Sequence, residues 1–278
     1  MPDFVFAEQL PAIVLGLLLG SFLNVCIYRW PNDLSVVTPR SCCPGCERQI
    51  AAWDNIPVLS FLLLAGKCRH CRAPISWRYP VVELLTALCF AWFTAVHGLT
   101  LVTAANCVFA FLLIGLVFSD LETLLLPDEL TLGGAVVGMV FSLVVPVNDS
   151  SFLLAANLAG FHPSARWASC GEALFGATLP AGIMWLVGYL FEKIRHKEGL
   201  GFGDVKMMVM IGAFLGVLGM LQTLILASMA ATVIGLAWLK LSGKDSDTYH
   251  PFGAYLGAAA LISAITGPNW FWKLMGGV

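Results

Sequence analysis

Residues 201–241 read GFGDVKMMVMIGAFLGVLGMLQTLILASMAATVIGLAWLKL, a Gly-Phe-Gly-Asp run that opens onto a long apolar stretch. About 20 predominantly apolar residues suffice to cross roughly 30 Å of hydrocarbon as a helix, so this stretch reads as membrane-spanning. Asp204 stands at its start, and a second carboxylate, Asp120, closes an earlier apolar segment. A carboxylate at the edge of hydrocarbon is costly, and a chain that keeps two of them uses them. Gly201 and Gly203 leave backbone that another chain can approach closely. The combination points to a water-activating aspartyl pair built into a membrane protein.

Composition agrees. The 278 residues are 59% hydrophobic and 12% charged, against about 25% charged in soluble domains; mean hydropathy is +0.84. A soluble chain of this length could not hide so much apolar surface in one core. The formal net charge of -2 and the lack of a long basic run give no footing for nucleic acid. We therefore expect an all-α polytopic membrane protein of about eight transmembrane helices, with a small zinc-binding cytoplasmic domain between helices 1 and 2. The spans fall at 10–28, 79–96, 99–118, 130–147, 172–191, 205–219, 221–241 and 252–266, with the sixth short and its break from the seventh near Gly219. The organisation is helix 1 over 1–29, the cysteine domain over 30–78 and a helical core over 79–278. Helix 1 is not expected to be a cleaved signal, because Asp3 and Glu8 precede it, no basic run does, and Arg29 follows it.

Orientation follows from lysine and arginine. Arg29, Arg40, Arg48, Lys67, Arg69, Arg72 and Arg78 lie between helices 1 and 2. Lys193, Arg195, Lys197 and Lys206 lie between helices 5 and 6, and Lys240 and Lys244 follow helix 7. With eight spans these 13 of the 15 basic residues share one face, and only Arg166 and Lys273 fall on the other. Both termini are then outside the cytoplasm, while the Asp120 and Asp204 loops share the cytoplasmic face and can meet.

The 30–78 segment holds Cys43-Pro-Gly-Cys46 and Cys68-Arg-His-Cys71, two C-x-x-C pairs with 21 residues between them. Each pair can place two thiolates on one turn, and two such turns complete a tetrahedral zinc site. Four free thiols or two redox pairs are the alternatives, although a reducing cytoplasm disfavours structural disulfides. Cys42 is a possible substitute for Cys43. Cys26, Cys89 and Cys107 read as small apolar packing inside helices, and Cys170 as a bystander.

The carboxylates differ in how well structure alone accounts for them. Pro127 opens the fourth helix, so Asp128 and Glu129 occupy a first turn that favours acids. Asp204 reads as an N-cap, which is compatible with catalysis. Lys206, a cation in a first turn, is expected to face a carboxylate or a ligand. Asp120 follows a helix C-terminus with no basic neighbour, so its charge has the poorest structural explanation. On these local grounds Asp120 is expected to be the more often protonated member of the pair and Asp204 the more often ionised. Two close carboxylates share a proton, and their titration belongs to the pair.

The chain resembles the type IV prepilin leader peptidases in an ordered series of stretches. These are Gly20-Ser-Phe-Leu-Asn24 through Arg29-Trp-Pro31, both cysteine pairs, Asp54-Asn-Ile-Pro-Val-Leu-Ser60, Gly66-Lys67-Cys68 and Ile75-Ser-Trp-Arg78-Tyr-Pro-Val-Val-Glu83. Asp120 to Asp128, Gly201-Phe-Gly-Asp204-Val-Lys206 and Pro251-Phe-Gly-Ala-Tyr255 complete it. The resemblance implies a bifunctional enzyme of the bacterial inner membrane with both termini periplasmic. Such an enzyme cleaves the leader of type IV prepilins, or of secretion-system pseudopilins, after a glycine at the cytoplasmic face. It then N-methylates the new terminus with S-adenosylmethionine. It also implies that Asp120 and Asp204 are the catalytic pair, that Gly66 and Lys67 belong to the methylation site, and that Glu83 contributes to it. Ser119, Ala254 and a long external loop over 148–171 depart from the family's usual pattern. No G-x-G-x-x-G unit is present, so a Rossmann-type donor site is not expected. Two rival readings are a proton-coupled transporter, which would need polar groups near the bilayer midplane, and a noncatalytic membrane scaffold.

Overall fold

A computed structural model describes residues 2–147, 149–196, 199–242, 251–267 and 270. Among them the chain is helical, with no strand and two isolated β-bridges. The helices are α1 (Pro2–Arg29), α2 (Leu59–Leu63), α3 (Arg78–His97), α4 (Leu101–Thr123), α5 (Asp128–Ser142), α6 (Ser151–Leu158), α7 (Ala165–Arg195), α8 (Phe202–Ser242) and α9 (Phe252–Thr266). Five of them, α1, α3, α4, α7 and α8, are long and apolar enough to cross a membrane. The sequence places eight spans. The difference lies in α5 and α9, which have 15 residues each, and in α8, which runs through two expected spans without leaving the helical path for more than one residue. Lys197, Lys244 and Lys273, used above for orientation, lie outside the described residues.

Two compact units divide the chain, 1–115 and 116–278. In the first, α1 and α3 approach until their backbones touch. A Cβ on Gly16 would sit 2.6 Å from the Ala87 Cα, and one on Gly20 would sit 2.7 Å from the Glu83 Cα. Asn24, one more turn along the same face, is buried and donates its side-chain N–H to the Gly20 and Tyr79 carbonyls at 3.2 and 3.1 Å. Small residues at four-residue spacing allow this approach, which in lipid rests on van der Waals contact and buried hydrogen bonds.

In the second unit, α7 packs on α8 through glycines, Gly176 lying against Gly212 and Gly216 with no room for side chains. The break in α8 falls at Gly216 (φ 73°, ψ -173°), three residues before the expected position. Only glycine occupies that conformation readily. The interruption frees backbone N–H groups, and the Asp149 carboxylate accepts one of them from Leu218 at 3.0 Å. Its other oxygen accepts the N–H groups of Ser150 and Ser151, at the start of α6. Buried Glu172 holds the next two, from Phe152 and Leu153, at 2.8 and 2.9 Å. On α9, Ser263 accepts a buried hydrogen bond from Gln222 of α8 at 3.0 Å.

Gly216→Ala tests this description. The substitution meets a forbidden backbone region and the Asp149 carboxylate 2.5 Å away, which should cost about 1–3 kcal/mol. Thermal unfolding of the detergent-solubilised protein should begin several degrees lower, whereas Gly182→Ala, inside α7 where an added Cβ meets nothing, should leave it unchanged or slightly higher.

Candidate active site and metal centre

Asp120 lies in the last turn of α4, buried to 5% exposure. The helix ends at Leu124, a non-glycine residue with φ 55° whose N–H donates to the Asp120 carbonyl at 3.0 Å. Ser119 Oγ donates to the Leu125 carbonyl at 3.0 Å, and Pro127 then precedes α5. This tight reversal carries Leu126 between two glycines. A Cβ on Gly203 or on Gly253 would lie 3.3 or 3.1 Å from Leu126 Cδ1.

Asp120 Oδ2 accepts the backbone N–H of Ala254, in the first turn of α9, at 2.8 Å. A Cβ on Gly253 would lie 3.0 Å from that same oxygen, so glycine is what lets the start of α9 close over the carboxylate. Asp204 is the third residue of α8, which begins at Phe202, and is therefore in the first turn and not at the cap position expected for it. It lies within electrostatic reach of Asp120. The two expected catalytic carboxylates are thus brought together, one from the end of α4 and one from the beginning of α8.

Lys206 faces a carboxylate, as expected. Its Nζ donates to Asp128 Oδ1 at 2.7 Å, tying the first turn of α8 to that of α5. Asp128 therefore has a structural partner in addition to the helix dipole. Asp120 has no basic neighbour along the sequence, but it has a hydrogen-bond partner in the fold. The partner is a backbone donor 134 residues away in sequence, at the positive end of a helix dipole, and such a donor favours the carboxylate form. Local sequence could not reveal it. The one available sign was the Pro251-Phe-Gly-Ala-Tyr255 stretch, which has no acidic or basic residue of its own.

In the first unit, the two cysteine pairs fold into a repeated turn. Cys43 N–H donates to the Arg48 carbonyl, Glu47 N–H donates to the Cys43 carbonyl, and Glu47 has φ 56°. Twenty-five positions on, Cys68 N–H donates to the Ala73 carbonyl, Arg72 N–H donates to the Cys68 carbonyl, and Arg72 has φ 61°. The bridges Cys42–Gln49 and Lys67–Pro74 flank the turns in the same register. Cys42 thus corresponds to Lys67, not to a ligand, and it is exposed.

The Sγ atoms of Cys43, Cys46, Cys68 and Cys71 all lie within 4.8 Å of one another. Cys43 and Cys71 are 3.7 Å apart, and a tetrahedral site with Zn–S near 2.3 Å places its sulfurs about 3.8 Å apart. The cluster can hold a metal ion. Backbone N–H groups of Cys71 and His70 pull the Cys68 thiol down to about 6, whereas the Cys71 thiol, despite the Ala73 N–H, is pushed up to about 11 by burial and the neighbouring sulfurs. The second turn is anchored by Arg69, which forks onto Asp54 with contacts of 2.6–3.0 Å; that hydrogen-bonded guanidinium holds the Asp54 carboxyl below its ordinary range.

The residues that the resemblance links to methylation lie close by along the chain. Gly66 has φ 67°, and its N–H donates to the Phe61 carbonyl at 2.8 Å. Lys67 begins the second cysteine turn. Glu83 is buried on α3 and accepts the Val58 N–H at 2.7 Å, just before α2. Separately, an open groove of about 400 Å³ lies between α1 and residues 36–57, lined by Ser21, Arg29, Arg40 and Asn55 among others. None of Gly66, Lys67 and Glu83 lines it.

Residues 14–97 match the Bacterial Peptidase A24 N-terminal domain, and residues 107–236 match the Type IV leader peptidase family. A prepilin leader peptidase/N-methyltransferase of Aeromonas hydrophila is 35% identical over 91% of this chain and 89% of its own length. One of Pseudomonas aeruginosa is 34% identical over 94% and 91%, and one of Legionella pneumophila is 33% identical over 92% and 91%. No solved structure matches. With this similarity running almost from end to end, the chain belongs to the type IV leader peptidase family.

Proposed function

We propose that this protein is a bifunctional enzyme that removes the leader of type IV prepilins or pseudopilins and then N-methylates the new amino terminus. The observation that carries the reading is the meeting of Asp120 and Asp204 at helix ends, with the Ala254 N–H on one of them. Peptide hydrolysis needs one carboxylate to take a proton from water and one carboxyl group to give a proton to the departing amine. The backbone donor at Ala254 favours Asp120 as the carboxylate, which leaves the shared proton with Asp204. Asp120 then activates the water, Asp204 protonates the amine, and transfer of the water proton between them resets the pair. This reverses the order suggested by local sequence.

In this reading α5 and α9 are short spans and Gly216 divides α8 into two, giving eight crossings. The distribution of basic residues then puts the carboxylate pair and the cysteine domain on the cytoplasmic face and both termini in the periplasm. A basic leader would meet that face while the apolar helix of the substrate stays in lipid. A proton-coupled transporter is less well supported, because these carboxylates gather at helix ends and not at the middle of the spans.

The four thiolates fit one structural zinc ion, which leaves no open position for substrate water. The methyl donor is S-adenosylmethionine, which supplies an electrophilic methyl group when bound. The Lys67 ammonium suits its carboxylate, and the positive-φ backbone at Gly66 suits close approach. Buried Glu83 supports the segment that leads to them.

Three outcomes test the assignment in purified protein given a prepilin. Asp120→Asn and Asp204→Asn should each lower leader cleavage by about 10²–10⁴-fold, the usual worth of a positioned acid or base. Asp128→Asn loses one exposed ion pair, worth about 0–1 kcal/mol, and should cost less than about tenfold. Near-normal cleavage by either of the first two variants would end the role proposed for it.

Elemental analysis should return about one zinc per chain, and Cys43→Ser or Cys68→Ser should lose it together with the protease resistance of residues 30–78. Gently purified protein without metal would contradict this. Finally, Gly66→Ala forces a side chain into positive φ and places its Cβ 3.1 Å from the Phe61 ring. Methyl transfer to pre-cut pilin should fall by at least about tenfold, a cost of order 1–2 kcal/mol for a left-handed backbone, while cleavage continues. Equal loss of both activities would remove Gly66 from the methylation site.

A further inference from the structure

Glu83 sets the depth of a segment that the sequence reads as part of a water-exposed domain. It lies five residues beyond Arg78, the first residue of the apolar helix α3. At 1.5 Å per residue, its Cα is about 7.5 Å along the axis from that end. Its carboxylate accepts the N–H of Val58, immediately before α2, at 2.7 Å. The start of α2 therefore stands beside the apolar length of α3 and not beyond its end. A second tie agrees, since Phe61 of α2 packs against Trp77, the residue just before α3, with ring centroids 4.8 Å apart. Val58 is held there in a conformation (φ 60°, ψ -47°) that a β-branched residue rarely adopts.

At this level α2 turns Leu59, Leu62 and Leu63 outward, with 48, 66 and 76% of their surface exposed. Trp53, Ile56 and Trp77 extend the patch, the two tryptophans being 70 and 71% exposed. The segment is tied to the start of α3, where Leu84 and Leu88 are also exposed. Tryptophan is enriched at the membrane–water boundary. The chain from Arg29 to Arg78 carries seven Lys and Arg against three Asp and Glu, a balance that draws it to an anionic leaflet.

We propose that α2, with Trp53, Ile56 and Trp77, is an interfacial helix seated in the boundary between headgroups and acyl chains. The occupant of this apolar face is the bilayer, and the cysteine turns stand on the water side of the docked helix. A short apolar helix held parallel to the membrane surface binds by its buried apolar area and by attraction to anionic lipid. Gly66 follows α2 by three residues, so the backbone assigned to methyl transfer is held at the level where the amino terminus of a lipid-embedded substrate emerges. That consequence rests on the proposed function; the docking itself does not.

The test uses the full chain in vesicles of phosphatidylethanolamine and phosphatidylglycerol. The photoreactive amino acid p-benzoylphenylalanine replaces Leu62, Leu63, Leu88 of α3 or Glu47 of the first cysteine turn, one at a time. After irradiation, mass spectrometry should find lipid adducts at 62 and 63 comparable to those at 88, and at least about tenfold fewer at 47, as expected for an interfacial helix beside a solvated turn. Lipid adducts at 88 with none at 62 and 63 would overturn the proposal. Crosslinks from 62 or 63 to a second copy of the chain would also overturn it, by assigning this face to self-association. Neither result depends on whether the protein cleaves or methylates a pilin, so the proposed function stands or falls separately.

Discussion

A carboxylate withdrawn from water has to find hydrogen-bond donors, and in this protein the donors are the unpaired N–H groups at the starts of helices. Asp120 takes that of Ala254 in α9, Glu83 that of Val58 before α2, and Glu172 those of Phe152 and Leu153 in α6. Asp149 takes that of Leu218, freed by the break in α8. Both partners gain. The helix start loses an orphan donor, and the acid meets the positive end of a dipole. In apolar surroundings neither group has water to turn to, so each pairing fixes the position of a helix end against a distant part of the same unit.

The proposed active site is one instance of this arrangement. Asp120 is placed by the end of α4, Asp204 by the start of α8, and the beginning of α9 closes over the first through Gly253. Leu126, lodged between Gly203 and Gly253, spaces the two loops. Lys206 and Asp128 join the adjoining helix starts from outside. A carboxylate pair built this way needs no flexible side chain to bring it together, because every member stands on a helix terminus. Hydrolysis at such a site needs only water and a peptide bond delivered to the edge of the membrane.

The cysteine segment obeys a different constraint. Fewer than fifty residues with few buried side chains cannot form a core able to offset the entropy of folding, and such segments rely on metals or disulfides. Here two copies of one turn put four sulfurs within 4.8 Å of each other. Glu83 and the Phe61–Trp77 pair then fasten the segment to α3 from the other side. Folding is thus supported at one end by the thiolate cluster and at the other by the apolar helix.

Features carried by short-range pattern were legible without coordinates. Apolar length announced the membrane helices, C-x-x-C spacing announced the four-sulfur cluster, and Gly-Phe-Gly-Asp with a second helix-end aspartate announced the carboxylate pair. The reason is common to all three, since each depends on residues a few positions apart or on the chemistry of single side chains in lipid. What sequence could not supply were partners far apart along the chain. The donor to Asp120 is a backbone N–H at residue 254, and backbone donors leave no mark in residue identity, so local sequence could not point to it. The break in α8 at Gly216 instead of Gly219 goes with close packing on Gly176 and with the reach of Asp149. Sequence by itself determined which chemistry this protein carries. Only the tertiary structure decided which helix ends meet, because a buried polar group is satisfied by whatever the fold brings within 3 Å of it.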